Sequence, residues 1–263
     1  MNEEAHWNNI AKSYNQEIFD VFASDKKKIL SKYFKKHKNL HATAIDFGCG
    51  NGKAFSYLSP LFKKVTAVDI SQELINQAKN SPFKNIAFLR KDLARPKAEL
   101  PKVQFIFSCN VVMLPEVNKN YVMLQNIQKS LKSNGSALLV IPSTESILFS
   151  AWRLIEWYKK EGVKAGDISA SELSYFKGSK QEILQGIFYI DGVATKHYSQ
   201  PEIEVIFNNA KLKVTALEKL EYDWNTEFAS PPSWMGEPFP WDWLVECRNI
   251  SWWFEGRNFM LNN

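Results

Sequence analysis

The chain has 263 residues, of which 45% are apolar, and a formal net charge of +5. That size and composition suit one large globular domain, or one domain carrying an insertion, with ample material for a buried core. No apolar run approaches the roughly 18–20 residues of a bilayer-spanning helix, since Ser108 and Asn110 interrupt the nearest stretch, residues 105–114.

The opening Met1-Asn2-Glu3-Glu4 has neither the basic region nor the apolar run of a secretory leader. The three cysteines, Cys49, Cys109 and Cys247, are odd in number and not at metal-ligand spacing. The expectation is a cytoplasmic chain with reduced thiols, no metal site and no membrane partner. Lysines cluster at 26–28, 35–38 and 63–64, which reads as solvated helix faces. No aromatics are interleaved with glycines as in an RNA-binding sheet, so nucleic acid is not an expected partner.

In chain order, Trp7, Ile10, Ala11, Tyr14 and Ile18 fall at helical spacing and predict one amphipathic N-terminal helix. A second helix is predicted around 25–36, with Ile29, Leu30, Tyr33 and Phe34 on one face. Short apolar runs then recur at 44–47, 65–68, 86–89, 105–107 and 137–141, with helical patterns between them. Between the last two, Val117, Tyr121, Leu124, Ile127 and Leu131 make one helical face, and Asn134-Gly135 supplies a stop. Strands alternating with helices predict a parallel, doubly wound α/β sheet. Ser199-Gln-Pro-Glu202 reads as a capping box opening a helix that carries Ile203, Ile206, Phe207 and Ala210. Val214 to Trp224 alternates as a sixth strand and 241–245 as a seventh.

The first strand runs into Asp46-Phe-Gly-Cys-Gly-Asn-Gly52. Glycines at 48, 50 and 52 let a ligand approach the backbone without meeting a Cβ. The dinucleotide fingerprint needs glycine at its sixth position, where this chain has Lys53 or Phe55, and no phosphate-loop Gly-Lys-Ser/Thr follows. The second strand ends at Asp69, 17 residues after Gly52, a spacing suited to a carboxylate that accepts from ribose hydroxyls. The third strand leads into Asp92-Leu93 and the fourth ends at Asn110.

An acidic residue followed by Gly-x-Gly-x-Gly after a strand resembles the first motif of class I S-adenosylmethionine-dependent methyltransferases. The resemblance covers residues 40–142 by motif and the remainder by topology. It implies a seven-stranded, mostly parallel Rossmann-like sheet with an antiparallel last strand, an N-terminal helical cap and an insertion after the fifth strand. One domain would then comprise a cap (1–40), a cofactor core (41–142), a lid (143–198), the last helix and strands (199–248) and a tail (249–263). The implied cofactor is S-adenosylmethionine, with S-adenosylhomocysteine as product. Its binding residues would be Asp46, Gly48, Cys49, Gly50, Gly52, Asp69, Ile70, Asp92, Leu93 and Asn110, with Tyr14 closing over the methionine end.

The acceptor is less legible. The stretch Asn110-Val-Val-Met lacks the proline pair and stacking aromatic of base-methylating enzymes. The insertion and the proline-tryptophan loop at 230–243 are rich in aromatics, which predicts a roof over an apolar pocket with Trp152 and Trp234 in its wall. A small organic acceptor is the expected partner. A base, needed only for an acceptor protonated at neutral pH, would be His197 or Tyr198, with His6 a weaker candidate. The alternatives are a protein or RNA methyltransferase using the lysine-rich N-terminal helices, and a non-catalytic cofactor-binding module.

Overall fold

A computed structural model describes residues 3–250, so the expected tail lies outside the described residues from 251 onward. The chain starts with four short helices, α1 (Glu3–Ile10), α2 (Tyr14–Glu17), α3 (Val21–Ser24) and α4 (Ile29–Lys36). Then come β1 (Asn39–Phe47), α5 (Phe55–Leu58), β2 (Phe62–Asp69), α6 (Gln72–Ala78), β3 (Ile86–Arg90), β4 (Val103–Cys109), α7 (Val117–Ser130) and β5 (Leu131–Pro142). The insertion supplies α8 (Thr144–Lys160), α9 (Lys180–Leu184) and the strands β6 (Ile187–Ile190) and β7 (Val193–Lys196). The fold closes with α10 (Gln200–Asn209), β8 (Leu212–Glu221) and β9 (Trp241–Asn249).

Seven strands form one sheet in the order β3-β2-β1-β4-β5-β9-β8. The first five are parallel, and β9 runs antiparallel to both β5 and β8. This is the expected α/β architecture. The central strands bury both faces, which is why they read as continuous apolar runs. Ile45, Phe47, Ile106, Leu139 and Val245 pack on the face covered by α7 and α10. Ala44, Phe105, Phe107, Val140 and Leu244 pack on the face covered by α4 and α5. Strand period two thus splits one sequence into two cores.

Several local expectations are corrected. The N-terminal helix is broken into α1 and α2, because the Gln77 side chain takes the Ala11 carbonyl at 2.6 Å. Asn8 of α1 meanwhile accepts from the Ser71 hydroxyl at 2.7 Å and from Glu73 N at 3.3 Å, docking α1 on the start of α6. The second helix starts at Ile29 because Asp25 caps it from outside, accepting from the amides of Ile29 and Leu30. Helix α7 stops at Ser130, one turn before Asn134-Gly135. Ser199 caps α10 through Glu202 N, but the Glu202 carboxylate turns to Lys196 and leaves the box half made.

Candidate active site

The turn after β1 is built from glycines at φ +82 (Gly48), +52 (Gly50) and +94 (Gly52), values that favour glycine over any residue with a Cβ. The amides of Gly48 and Cys49 both donate to the Val68 carbonyl, at 2.8 and 2.9 Å, which locks the turn against β2. Gly50 N donates to Asp69 Oδ2 at 2.8 Å and Ser71 N to Asp69 Oδ1 at 2.9 Å, so the carboxylate is held by main chain on both oxygens. Burial raises the Asp69 pKa, and these amides oppose the rise. The glycines also admit the chain's own side chains. A Cβ at Gly48 would collide with Val111, at Gly50 with the Tyr14 hydroxyl and at Gly52 with the Phe55 ring. The expected reason for all three, approach of a ligand, is corrected to that extent.

A cavity of about 430 Å3 opens at the carboxyl ends of the strands, the ligand edge of an open α/β sheet. Gly48, Gly50, Asp69 and Ile70 line one part of it, and Asp92, Leu93 and Asn110 the next. Glu3, His6, Trp7 and Tyr14 come from the N-terminal helices. Tyr189, Gly192, Val193, Ala194 and Thr195 come from the β6–β7 hairpin, Met113, Leu114 and Pro115 from the segment after β4, and Met123 from α7. Asp46, Cys49 and Gly52 support the turn but do not line the cavity.

Two acceptors at this edge have no partner among the described residues. Asp46, 2% exposed, leaves Oδ2 unpaired, and burial with the nearby Asp69 charge pushes its pKa up to about 8. Asn110 sits at φ +53 with Oδ1 buried and unpaired, while its side chain bonds to Asp242. Asp242, raised to about 6 by burial, also accepts from the Tyr222 hydroxyl at 2.8 Å. Unpaired buried acceptors are costly; Asn110 lines the cavity, where a ligand donor would satisfy it, while Asp46 lies behind the glycine turn. The residues therefore fit a nucleoside that carries an amino acid, with Asp69 placed for its ribose hydroxyls and Asn110 beside the cavity.

The two catalytic candidates are set away from this cavity. His197 is enclosed, edge-on to Phe188, with Nδ1 3.1 Å from the Thr195 carbonyl, and burial pushes its pKa down to about 4. Tyr198 lies in the core beneath Lys196, and burial drives its phenol up. Trp152 and Trp234 are 56% and 38% exposed and line no part of the cavity. Trp152 stacks on Phe149 along α8, and Trp234 covers Arg153 and Lys160. The proline-tryptophan loop is drawn to α8, because Trp241 N donates to the Ser146 hydroxyl and Trp224 Nε1 to the Gly236 carbonyl. Apolar aromatics roof one another instead of the site. His6 and Trp7, ranked low or read as packing, do reach the wall because α1 docks on α6. The hairpin residues carried no motif; only the Asp191-Gly192 turn signal marks them.

Residues 44–135 match the methyltransferase domain family. A probable S-adenosylmethionine-dependent methyltransferase of Saccharomyces cerevisiae, CRG1, is 25% identical over 142 residues, covering 51% of this chain and 43% of that protein. The chain thus spans less than half the length of that relative. Among solved structures, a SAM-dependent methyltransferase from Anabaena variabilis superposes with a TM-score of 0.63 at 17% identity, over 94% of this chain and 93% of that one. A DhpI–SAM–HEP complex superposes with a TM-score of 0.60 at 13% identity, over 94% and 95%. These likenesses fix the fold.

Proposed function

We propose, from the match of residues 44–135 to the methyltransferase domain family, that the chain transfers a methyl group from S-adenosylmethionine to a small organic acceptor. The observation that carries the acceptor class is the cavity of about 430 Å3 at the carboxyl ends of the strands, within the usual range of roughly 300–1,000 Å3 for small-molecule sites. One part meets the glycine turn and Asp69, and the rest is closed by α1 and the β6–β7 hairpin.

Bound S-adenosylmethionine supplies a methyl group already activated on a sulfonium. The chain's own work is to hold, align and exclude water, and proximity can supply most of the acceleration. Asp69, fixed by two amides, is a ready acceptor for vicinal hydroxyls. Asp92 is aligned by Ala94 N at 3.0 Å and faces the same cavity. Tyr14 closes over Gly50, and burial foremost, with nearby Asp69 and the two cysteines, keeps its phenol protonated. Met113, Leu114, Val193 and Ala194 offer an apolar wall to the acceptor. His6 is the histidine at the wall, and it takes the proton where the acceptor is a hydroxyl or an amine still protonated at neutral pH.

The reading is tested by calorimetry with S-adenosylhomocysteine, followed by label transfer from S-adenosylmethionine to a panel of small alcohols, acids and amines. Saturable binding with transfer to a small acceptor is expected. Binding with label entering only protein or RNA would replace the small acceptor with a macromolecule. Binding without any transfer would leave a cofactor-binding module.

A further inference from the structure

A second recess of about 230 Å3 lies outside the cofactor cavity and shares no lining residue with it. Helix α8 gives it Trp157 and Tyr158, and the residue capping its end gives Glu161. The turn at 170–176 adds Glu172 and Tyr175, and the segment before the proline-tryptophan loop adds Glu227 and Phe228. Three carboxylates and four aromatic rings therefore face one space, and no lysine or arginine lines it.

The negative charge there is uncompensated. Trp157 Nε1 donates to Glu161 Oε1 at 2.5 Å. The Tyr158 hydroxyl lies beside Glu172, and the buried Ser150 hydroxyl, which has no hydrogen-bond partner among the described residues, lies beside Glu227. All three neighbours are neutral, and among the described residues none of the three carboxylates enters an ion pair. Two basic side chains of α8, Arg153 and Lys160, are committed elsewhere. Arg153 pairs with Glu156 at 2.6 Å and lies over Trp224 and Trp234, and Lys160 lies 4.1 Å from the Trp234 ring centroid. Glu227 is the deepest of the carboxylates. Burial raises its pKa, and the charge it feels is that of another carboxylate, Asp242. A half-buried acid without a cation, opening on a recess, favours the entry of something positive.

The rings decide what kind of cation. Phe228 is stacked on Trp224 at 5.6 Å and edge-on to Trp157 at 6.0 Å, so these faces are fixed before any ligand arrives. An aromatic face attracts a cation within about 6 Å of its centroid. A divalent metal needs several oxygens at about 2.0–2.6 Å, and among the described residues no three His, Cys, Asp or Glu side chains are disposed to hold one. The carboxylates surround the space without converging on a point. The volume falls below the roughly 300 Å3 at which drug-sized sites begin, which limits the occupant to a few heavy atoms.

We propose that this recess is a second binding site, for a small quaternary or methylated ammonium ion, with Glu227 compensating its charge and Trp157, Tyr175 and Phe228 supplying ring faces. Choline chloride titrated into the full chain at fixed ionic strength, with sodium and magnesium chloride as controls, tests it. Saturable binding of choline, and none of sodium or magnesium, is expected. Glu227→Gln and Trp157→Ala should each weaken it about tenfold or more, the loss of a charge or ring contact. Near-ultraviolet circular dichroism and the thermal midpoint report whether these variants are folded. Glu161→Gln with Glu172→Gln alters only the exposed rim, keeps the fold and should weaken binding several-fold. The proposal is overturned if choline shows no saturable binding, if magnesium binds as well, or if the folded variants keep full affinity. Displacement of choline by S-adenosylhomocysteine would also overturn it, by placing the cation in the cofactor cavity. None of these outcomes depends on methyl transfer.

Discussion

The Gly50 amide donates to Asp69 Oδ2 at 2.8 Å, tying the glycine turn after β1 to the carboxylate that ends β2. The same bond orients Asp69 for a ligand and stops the turn from drifting away from it. Asp69→Ala loses both functions. Hydrogen bonds to a charged group contribute about 1.5–3 kcal/mol, so affinity for S-adenosylhomocysteine should fall about ten- to a hundred-fold. Calorimetry on the folded variant checks it, and unchanged affinity would remove Asp69 from the site.

At Gly50 the argument rests on space and on φ together. Gly50→Val sets a side chain against the Tyr14 hydroxyl and puts a β-branched residue at φ +52. Binding of S-adenosylhomocysteine should vanish. Adding Tyr14→Ala relieves the collision but not the backbone strain, so the double variant should recover only part of the affinity. Recovery to the level of Tyr14→Ala alone would show that the left-handed conformation is dispensable; a double variant no better than Gly50→Val, with Tyr14→Ala alone still binding, would show that Tyr14 is not what the side chain meets.

The fold was legible because its signals are local and repeated. Apolar runs of strand length separated by helical periods place β1 to β5, and the glycine turn places the ligand edge. Gly48, Gly50, Asp69, Ile70, Asp92, Leu93 and Asn110 then reach the cavity because each follows a strand whose position the pattern already marks. The acceptor end had no such marker. His197 looks catalytic in sequence, yet the hairpin carries its ring into the core, where it meets Phe188. Trp152 and Trp234 look like a roof, but α8 offers them Phe149, Arg153 and Lys160 at closer range. Tertiary packing of an insertion leaves little short-range trace: Asp191-Gly192 marks a turn, but nothing in the sequence says that the strands beside it reach the cavity.

The buried acids predict a pH dependence. Asp46 is raised from 3.8 to about 8 in the folded chain. Between those values the folded state binds the extra proton, so stability falls as pH rises, by at most about 1.4 kcal/mol per pH unit. Asp242, raised to about 6, acts in the same direction at the acid end of that window. His197, lowered from 6.5 to about 4, acts oppositely and only below 6.5. From pH 6.5 to 8 the Asp46 contribution therefore stands clear of His197. The thermal midpoint of the ligand-free chain should drop across this interval, and Asp46→Asn should flatten the drop. A midpoint that holds or rises in the unsubstituted chain would mean that Asp46 is ionised without a ligand.

The candidate histidine of the insertion should prove structural. His197→Ala removes a ring packed on Phe188 and bonded to the Thr195 carbonyl. A loss of about 1–3 kcal/mol is expected for a buried side chain of this kind. Affinity for S-adenosylhomocysteine should stay within about twofold, since the ring lies outside the cavity. Urea unfolding and calorimetry on one preparation separate the two, and a binding defect in a stable variant would return His197 to the site.

The hairpin, by contrast, should control the acceptor. Its base is pinned by Lys196, which is wholly buried, with Nζ 2.7 Å from Glu202 Oε1 and 2.8 Å from the His197 carbonyl. Lys196 N donates to the Met113 carbonyl at 2.9 Å, joining the hairpin to the segment after β4. The strand so held brings Val193, 50% exposed, and Ala194 to the cavity wall. Val193→Asp leaves these anchors intact and sets a charge where an apolar acceptor would lie. In the label-transfer assay kcat/KM should fall about tenfold or more, a loss of about 1.4 kcal/mol in transition-state stabilisation. Cofactor affinity should hold, because the glycine turn and Asp69 are untouched. Trp152→Ala and Trp234→Ala should leave both quantities unchanged. The reverse pattern, with the tryptophans decisive and Val193 silent, would move the acceptor from the hairpin to the outer face of α8.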